Sequence, residues 1–481
     1  MAATAVTVTS GLELDDMQGL VLRCYRRLRA ASFLLYTVEE PAPARAFLAE
    51  LAPRLTTAAT PTTADTALNL ALTAPCLIRL GLPAAAVATC PLELREGMAT
   101  PHRSRILGDL GANAPEQWRF GGPSTSPVHL MLLAYATDAA RLVALIDELA
   151  ASAASGGASE VARLETTDIG QAEHFGFHDG ISQPRLEGVA GARHEGSDTV
   201  RAGELVLGYR DEYGLYATRP LIDARDDPDR LLPDDVEGSG QRDLGRNGSY
   251  IVLRQLEQDV PAFWRFADAA AGGGGADRRN EVAAKLVGRW PSGAPLVLAS
   301  ERDDATLKDR NDFRYHTADE AGLRCPIGAH IRRANPRDSL DPNPGSSASV
   351  AVSKHHRLLR RGRSYGPRLP VDRALEGGDG AARGLYFMCL NTNLPRQFEF
   401  VHQTWALSPK FGGLYDEPDP ILTAGGSFSI PGRPVRRRFT NLPRFVTVRG
   451  GAYFLLPGIR AVRYLGSMGG EPGNSSFPVG S

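Results

Sequence analysis

The chain has 481 residues, 42% of them hydrophobic, and a formal net charge of −1; it can bury the core of two large or three small domains and offers no charge excess for nucleic acid or an anionic membrane surface. Its five cysteines, Cys24, Cys76, Cys90, Cys325 and Cys389, form no CxxC pair, which argues against a disulfide framework or a zinc site and fits a reducing compartment. No window reaches the roughly 18 apolar residues of a membrane span, and the N-terminal MAATAVTVTSGLELDD carries neither a basic n-region nor an apolar h-region, so a cytoplasmic protein is expected.

In chain order, residues 31–38 form a short apolar run rich in aromatic and branched side chains, which predicts a buried strand. Residues 43–51, opened by proline and rich in alanine, predict a helix. Strands follow at 68–72 and 128–135, then an amphipathic helix over 139–154 that Gly156 and Gly157 end. Residues 222–249 are charged and rich in Pro and Gly, so they read as a linker with a domain boundary near 225. Beyond it come a strand at 250–256, helices at 259–271 and 280–290 separated by the Gly272 to Gly275 spacer, a strand at 384–390, a helix at 397–406 and a strand at 450–457. A Gly-, Ser- and Pro-rich tail after Gly466 is expected to be mobile. This order suggests α+β halves built on sheets covered by helices.

Three segments carry chemistry. FGFHDGISQP, residues 175–184, sets Asp179 between Gly176 and Gly180 and beside Phe175, Phe177 and Ile181. The glycines permit a tight turn, and a carboxylate in apolar surroundings suits proton transfer. In LRCPIGAHIRRANPR, residues 323–337, His330 follows Gly328 and Ala329, whose small size would admit a flat ring; an imidazole is a natural axial ligand of haem iron, and the arginines could meet haem propionates. In HRLLRRGRSYG, residues 356–366, an arginine could stabilise developing negative charge. Taken singly, each has a plainer explanation: a turn, a histidine satisfied by a loop contact, a basic surface loop.

In this order, the three segments resemble the signature of the dye-decolourising peroxidases. DMQGLVL at 16–22, REGM at 95–98 with Leu107-Gly108-Asp109, VGRW at 287–290 and RGGAYF at 449–454 extend the resemblance from about residue 15 to about 460, among the longer members. The resemblance implies two ferredoxin-like α+β domains with antiparallel sheets, residues 1–225 with the GxxDG motif near the end and residues 226–481 holding haem b. It implies one haem per chain, hydrogen peroxide as oxidant and small organic electron donors, with no nucleic acid or membrane partner and a homo-oligomer left open. His330 matches the proximal histidine and Asp179 the distal aspartate; Arg360 matches the distal arginine, with Arg361 the alternative of the RRG pair. Leu385 and Phe387 match apolar residues bordering the distal cavity, His178 a pocket-rim or propionate-side residue, and Arg332 a cofactor contact. Gly362 stands where some members carry an asparagine, and Glu399 and Asp419 are the candidate partners of the second His330 ring nitrogen.

Two other classes share these residues. A haem carrier would need His330 but neither Asp179 nor Arg360, and an acid–base hydrolase would rest on Asp179 and His178. Trp118, Trp264, Trp290 and Trp405 read as core, and the acidic stretch from Asp226 to Glu237 as a solvated loop in preference to a manganese site.

Overall fold

A computed structural model describes residues 11–61, 63–189 and 198–469; the tail expected to be mobile lies, from residue 470 on, outside the described residues. The first half runs β1 (Ala30–Val38), α1 (Pro41–Leu51), β2 (Thr66–Leu72), β3 (Leu130–Ala136), α2 (Ala139–Ser155) and β4 (Ala158–Glu165). The second has as its main elements β5 (Ser249–Gln258), α3 (Val260–Ala271), α4 (Gly275–Val287), α5 (His330–Ala334), β6 (Leu359–Arg360), β7 (Arg363–Tyr365), β8 (Gly384–Asn391), β9 (Val446–Leu456) and α6 (Ile459–Ser467).

Nine strands share one antiparallel sheet in the order β6-β8-β5-β9-β2-β3-β1-β4, with β7 also paired to β8. Each half repeats one arrangement. Counting β6 and β7 as one, the strands of each half lie in the spatial order fourth, first, third, second. The halves meet where Leu455 of β9 pairs Leu72 of β2. Their packing is continuous there: Leu34, Tyr36, Leu70 and Leu72 share one apolar cluster with Tyr250, Val252, Leu455 and Leu465.

Local chemistry explains most boundaries. Asp259 caps α3 by accepting the Ala262 N–H at 2.8 Å, and Gly272, at φ 65°, ends it. On α1, Ala44, Phe47, Leu48 and Leu51 recur at helical spacing and are buried. Four expectations need correction. The helix expected over 280–290 begins at Gly275 and stops at Val287, because Gly288 turns left-handed at φ 103°; the spacer glycines therefore shrink to the link before it. The helix expected over 397–406 is two π-helical segments, Pro395–Glu399 and Val401–Ala406. The edge strand β4 was not expected. The acidic stretch after residue 225 is a folded, charge-paired segment: Arg219 binds Asp235, Glu237 at 3.0 Å and Asp243 at 2.7 Å, while Arg242 binds Asp234. All four tryptophans are buried. Among the described residues no helix is long and apolar enough to cross a membrane.

Candidate active site

The sheet of the second half forms one wall of a cavity of about 490 Å³, large enough for a sizeable ligand. Alternate residues of neighbouring strands reach it: Leu385 pairs Leu256, Phe387 pairs Arg254, and Val448 pairs Leu256 from the other side. Leu385 and Phe387 thus border the cavity.

The GxxDG segment forms another wall. Gly176 and Gly180 have φ of 95° and 80°, a backbone that favours glycine. Both oxygens of Glu173 are engaged by this turn: Oε2 accepts Phe175 N–H at 2.9 Å and Oε1 accepts Phe177 N–H at 3.0 Å. Gln258 of β5 donates to the same Oε2 at 2.7 Å. Burial, above the effect of these bonds, pushes the Glu173 carboxyl up to about 7. Asp179 follows at the turn's end, where Oδ1 accepts its neighbour Gly180 N–H at 2.6 Å and faces Nη2 of Arg360 at 3.4 Å. Gln183, from the ISQP tail, accepts the Arg360 backbone N–H at 2.9 Å and ties β6 to the turn. The two arginines of the RRG pair separate here. Arg360 lines the cavity, whereas Arg361 donates to the carbonyls of Leu20 at 2.8 Å and Val21 at 3.0 Å. His178 lines the cavity, and its Nδ1 is 3.2 Å from the Ser292 carbonyl oxygen. At Gly362, a Cβ would stand 2.6 Å from the Tyr386 carbonyl oxygen, so the backbone leaves little room for a side chain.

His330 opens α5 and also lines the cavity. Its Nδ1 lies 2.8 Å from Oδ2 of Asp419, which is fully buried. Asp419 is held in turn by its Oδ1, which accepts Ile421 N–H at 2.8 Å and Leu422 N–H at 3.1 Å. Burial works to lower the His330 pKa, but the Asp419 carboxylate outweighs it and holds it above the ordinary value. Nε2 has no hydrogen-bond partner among the described residues. Glu399, the other candidate partner, is taken by Arg103 at 2.7 Å and Tyr453 at 2.8 Å.

Arg332 is a correction. It is buried away from the cavity, donating to Cys325 O at 2.8 Å and Glu320 O at 3.3 Å, with its guanidinium over the Tyr315 ring. Residues two apart on a helix do not share a face, so Arg332 cannot follow His330 into the cavity. The basic wall is built by other residues. Asn335, Arg337 and Arg357 line the cavity, and each keeps a buried donor without a partner: Asn335 Nδ2, Arg337 Nε and Arg357 Nη2. Arg289 lines it too, its pKa lowered to about 10 by burial. The NPR end of the histidine segment was the available signal for two of these. Arg289 sat in the VGRW landmark with no chemistry assigned to it.

No family model matches the chain. Curated relatives do. It is 29% identical to the dye-decolorizing peroxidase of Mycena epipterygia, over 94% of this chain and 86% of that one. It is 28% identical to dye-decolorizing peroxidase AauDyP1 of Auricularia auricula-judae, over 96% and 88%. Among solved structures, an ancestral D-type dye-decolorizing peroxidase superimposes with a TM-score of 0.77 at 25% identity, covering 94% of this chain and 99% of that one. A dye-decolorizing peroxidase whose heme pocket was engineered for asymmetric sulfoxidation gives 0.75 at 25% identity, over 95% and 100%. The fold, the cavity and these relatives define a peroxidase, an oxidoreductase that uses hydrogen peroxide to oxidise organic substrates. The chain is similar to the dye-decolorizing peroxidases over nearly its whole length.

Proposed function

We propose that the cavity would hold one haem b, with His330 as the residue that would bind its iron, and that Asp179 and Arg360 act on hydrogen peroxide beside it. The observation that carries this reading is that one cavity is lined both by a histidine fixed through Asp419 and by the Asp179–Arg360 pair. A carrier would not need the pair, and a hydrolase would not need the histidine. The residues present fit haem. His330 offers a free Nε2, Leu385, Phe387 and Leu256 offer apolar wall, and the unpartnered donors of Asn335, Arg337 and Arg357 suit two carboxylates. His178 belongs to the rim of this pocket.

When bound, haem supplies the electron chemistry of peroxide reduction and one-electron donor oxidation. The protein supplies the rest. Asp419 accepts the Nδ1 proton of His330, which leaves the Nε2 lone pair for the iron. Asp179 Oδ1 is engaged by Gly180 and Arg360, so Oδ2 is the atom that takes a proton from one peroxide oxygen and gives it to the other. The Arg360 guanidinium stabilises the negative charge that develops as the oxygen–oxygen bond breaks and water leaves. Two donors then each give one electron. The relatives' names support dyes as donors, and phenols share the same one-electron chemistry.

We read the halves, residues 1–225 and 226–481, as ferredoxin-like domains, supported by the repeated strand order. In this division the second domain supplies His330, Arg360, Leu385, Phe387 and Asp419, and the first supplies Asp179. The test is reconstitution with haem followed by absorption spectroscopy and peroxide consumption. Stoichiometric binding that His330→Ala abolishes, with turnover that Asp179→Asn abolishes, is the expected result. Tight binding without turnover in the unmodified protein would leave a carrier.

A further inference from the structure

We infer that Glu173 is a positioning residue for peroxide chemistry: its carboxylate clamps the 173–180 turn and so sets where Asp179 stands against Arg360. This rests on the role proposed above for Asp179 and adds a residue to it.

The clamp closes a ring of contacts. Glu173 N–H donates to Phe177 O at 3.0 Å, while Glu173 Oε1 accepts Phe177 N–H, so one residue grips both polar groups of Phe177. Its carbonyl also accepts Gly176 N–H at 2.9 Å. Oε2 takes Phe175 N–H and the Gln258 side-chain amide, and Gln258 sits on β5; both Glu173 and Gln258 line the cavity. Two glycines at positive φ give this turn freedom that other residues would not; the Glu173 carboxyl group removes that freedom at a desolvation cost. The same burial lifts its pKa, and Asp179, which faces the same cavity, lifts it further. A carboxyl group buried at such cost beside the site is explained by what it holds in place. Phe175 and Phe177 stack on Phe263 and Trp264 and fix the other side of the turn, and the Asp179 N–H donates to the Gln171 carbonyl at 3.0 Å, so Glu173 shares with these contacts the placing of Asp179.

The experiment compares Glu173→Gln, Gln258→Leu and Asp179→Asn holoenzymes with the unmodified one. It reads amide hydrogen exchange of the 173–180 segment, kcat for peroxide consumption, KM for an organic donor, and haem content. An amide side chain can accept through only one oxygen, so Glu173→Gln should speed exchange at Phe175 and Phe177. It should lower kcat on the order of 100-fold, the scale of a small misplacement of a reacting group, with haem content and donor KM unchanged. Gln258→Leu, which leaves the turn's own bonds in place, should give a smaller loss of the same kind, and it serves if Glu173→Gln fails to hold haem. Wild-type kcat in Glu173→Gln, with or without faster exchange, would overturn the inference, as would wild-type kcat in Gln258→Leu if only that variant can be measured. If Asp179→Asn too kept full activity, the role of Asp179 itself would fall; loss in Asp179→Asn alone would sink only the part given to Glu173.

Discussion

Asp419 Oδ2 lies 2.8 Å from His330 Nδ1, joining two residues 89 positions apart. A carboxylate there can only accept, so Nδ1 carries a proton, and in the neutral ring the other nitrogen keeps its lone pair. Asp419 is fully buried, and no other histidine lining the cavity has such a partner: Nδ1 of His178 meets a backbone carbonyl, and Nε2 of His402 meets that of Leu107 at 3.0 Å.

Asp419→Asn should therefore weaken haem binding by about 10- to 100-fold, the usual cost of losing such a partner, while His330→Ala should lose the bound-haem spectrum altogether. Haem titration followed by absorption checks both. Equal retention in the two variants and the unmodified protein would remove His330 as the ligand.

Asp179→Asn should lower peroxide consumption by roughly 100-fold or more, the scale of lost general acid–base catalysis. Asp179→His, which sets an imidazole base at the same place, should keep part of the rate with a different pH dependence. The measurement is a pH–rate profile of the three proteins.

The RRG pair divides by surroundings. Arg360→Ala should slow the peroxide reaction strongly and leave the melting temperature nearly unchanged. Arg361→Ala should do the reverse, because its guanidinium satisfies the Leu20 and Val21 carbonyls. Rapid-mixing rates and thermal melts of both variants decide it.

Stability should be greatest in mildly acidic solution. Burial raises Glu173 to about 7, so the fold prefers its neutral form; that stabilisation is complete below the ordinary carboxyl range and is lost as pH rises through about 7. Burial pushes His356 down to about 4, so its contribution is complete above the ordinary imidazole value and is lost as pH falls toward 4. Melting of the haem-free chain across pH should show both limbs. Glu173→Gln should flatten the alkaline limb, and His356→Phe, which keeps a ring against Phe400, the acid one.

Much of the fold was legible because period and composition agree. β1 is a run of apolar and aromatic residues buried almost throughout, and α3 carries its own cap and stop. β4 escaped because it is an edge strand, mostly polar and largely exposed. At the site, Asp179, His330, Arg360, Leu385 and Phe387 were legible, and all line one cavity. Asp419 remained one of two candidates, since its choice over Glu399 depends on which carboxylate Arg103 and Tyr453 already engage. Arg332 failed for a local reason. Proximity along the chain was taken for proximity in space, while α5 turns that side chain toward Tyr315 and its loop.

The join between β2 and β9 has a consequence for how the molecule comes apart. Within the sheet, one paired position links the halves, yet their side chains share a single apolar cluster. Side-chain hydrogen bonds cross as well, from Arg103 to Glu399 and from Arg361 to the Leu20 carbonyl. Breaking the backbone pairing at Leu72 should leave a single melting transition, whereas shrinking Leu70 or Leu455 to alanine, at about 2–5 kcal/mol for a buried leucine, should loosen the two halves from each other. Since Asp179 comes from one half and Arg360 from the other, the alignment of the two distal groups depends on the packing between the halves as well as on the local tie from Gln183 to Arg360.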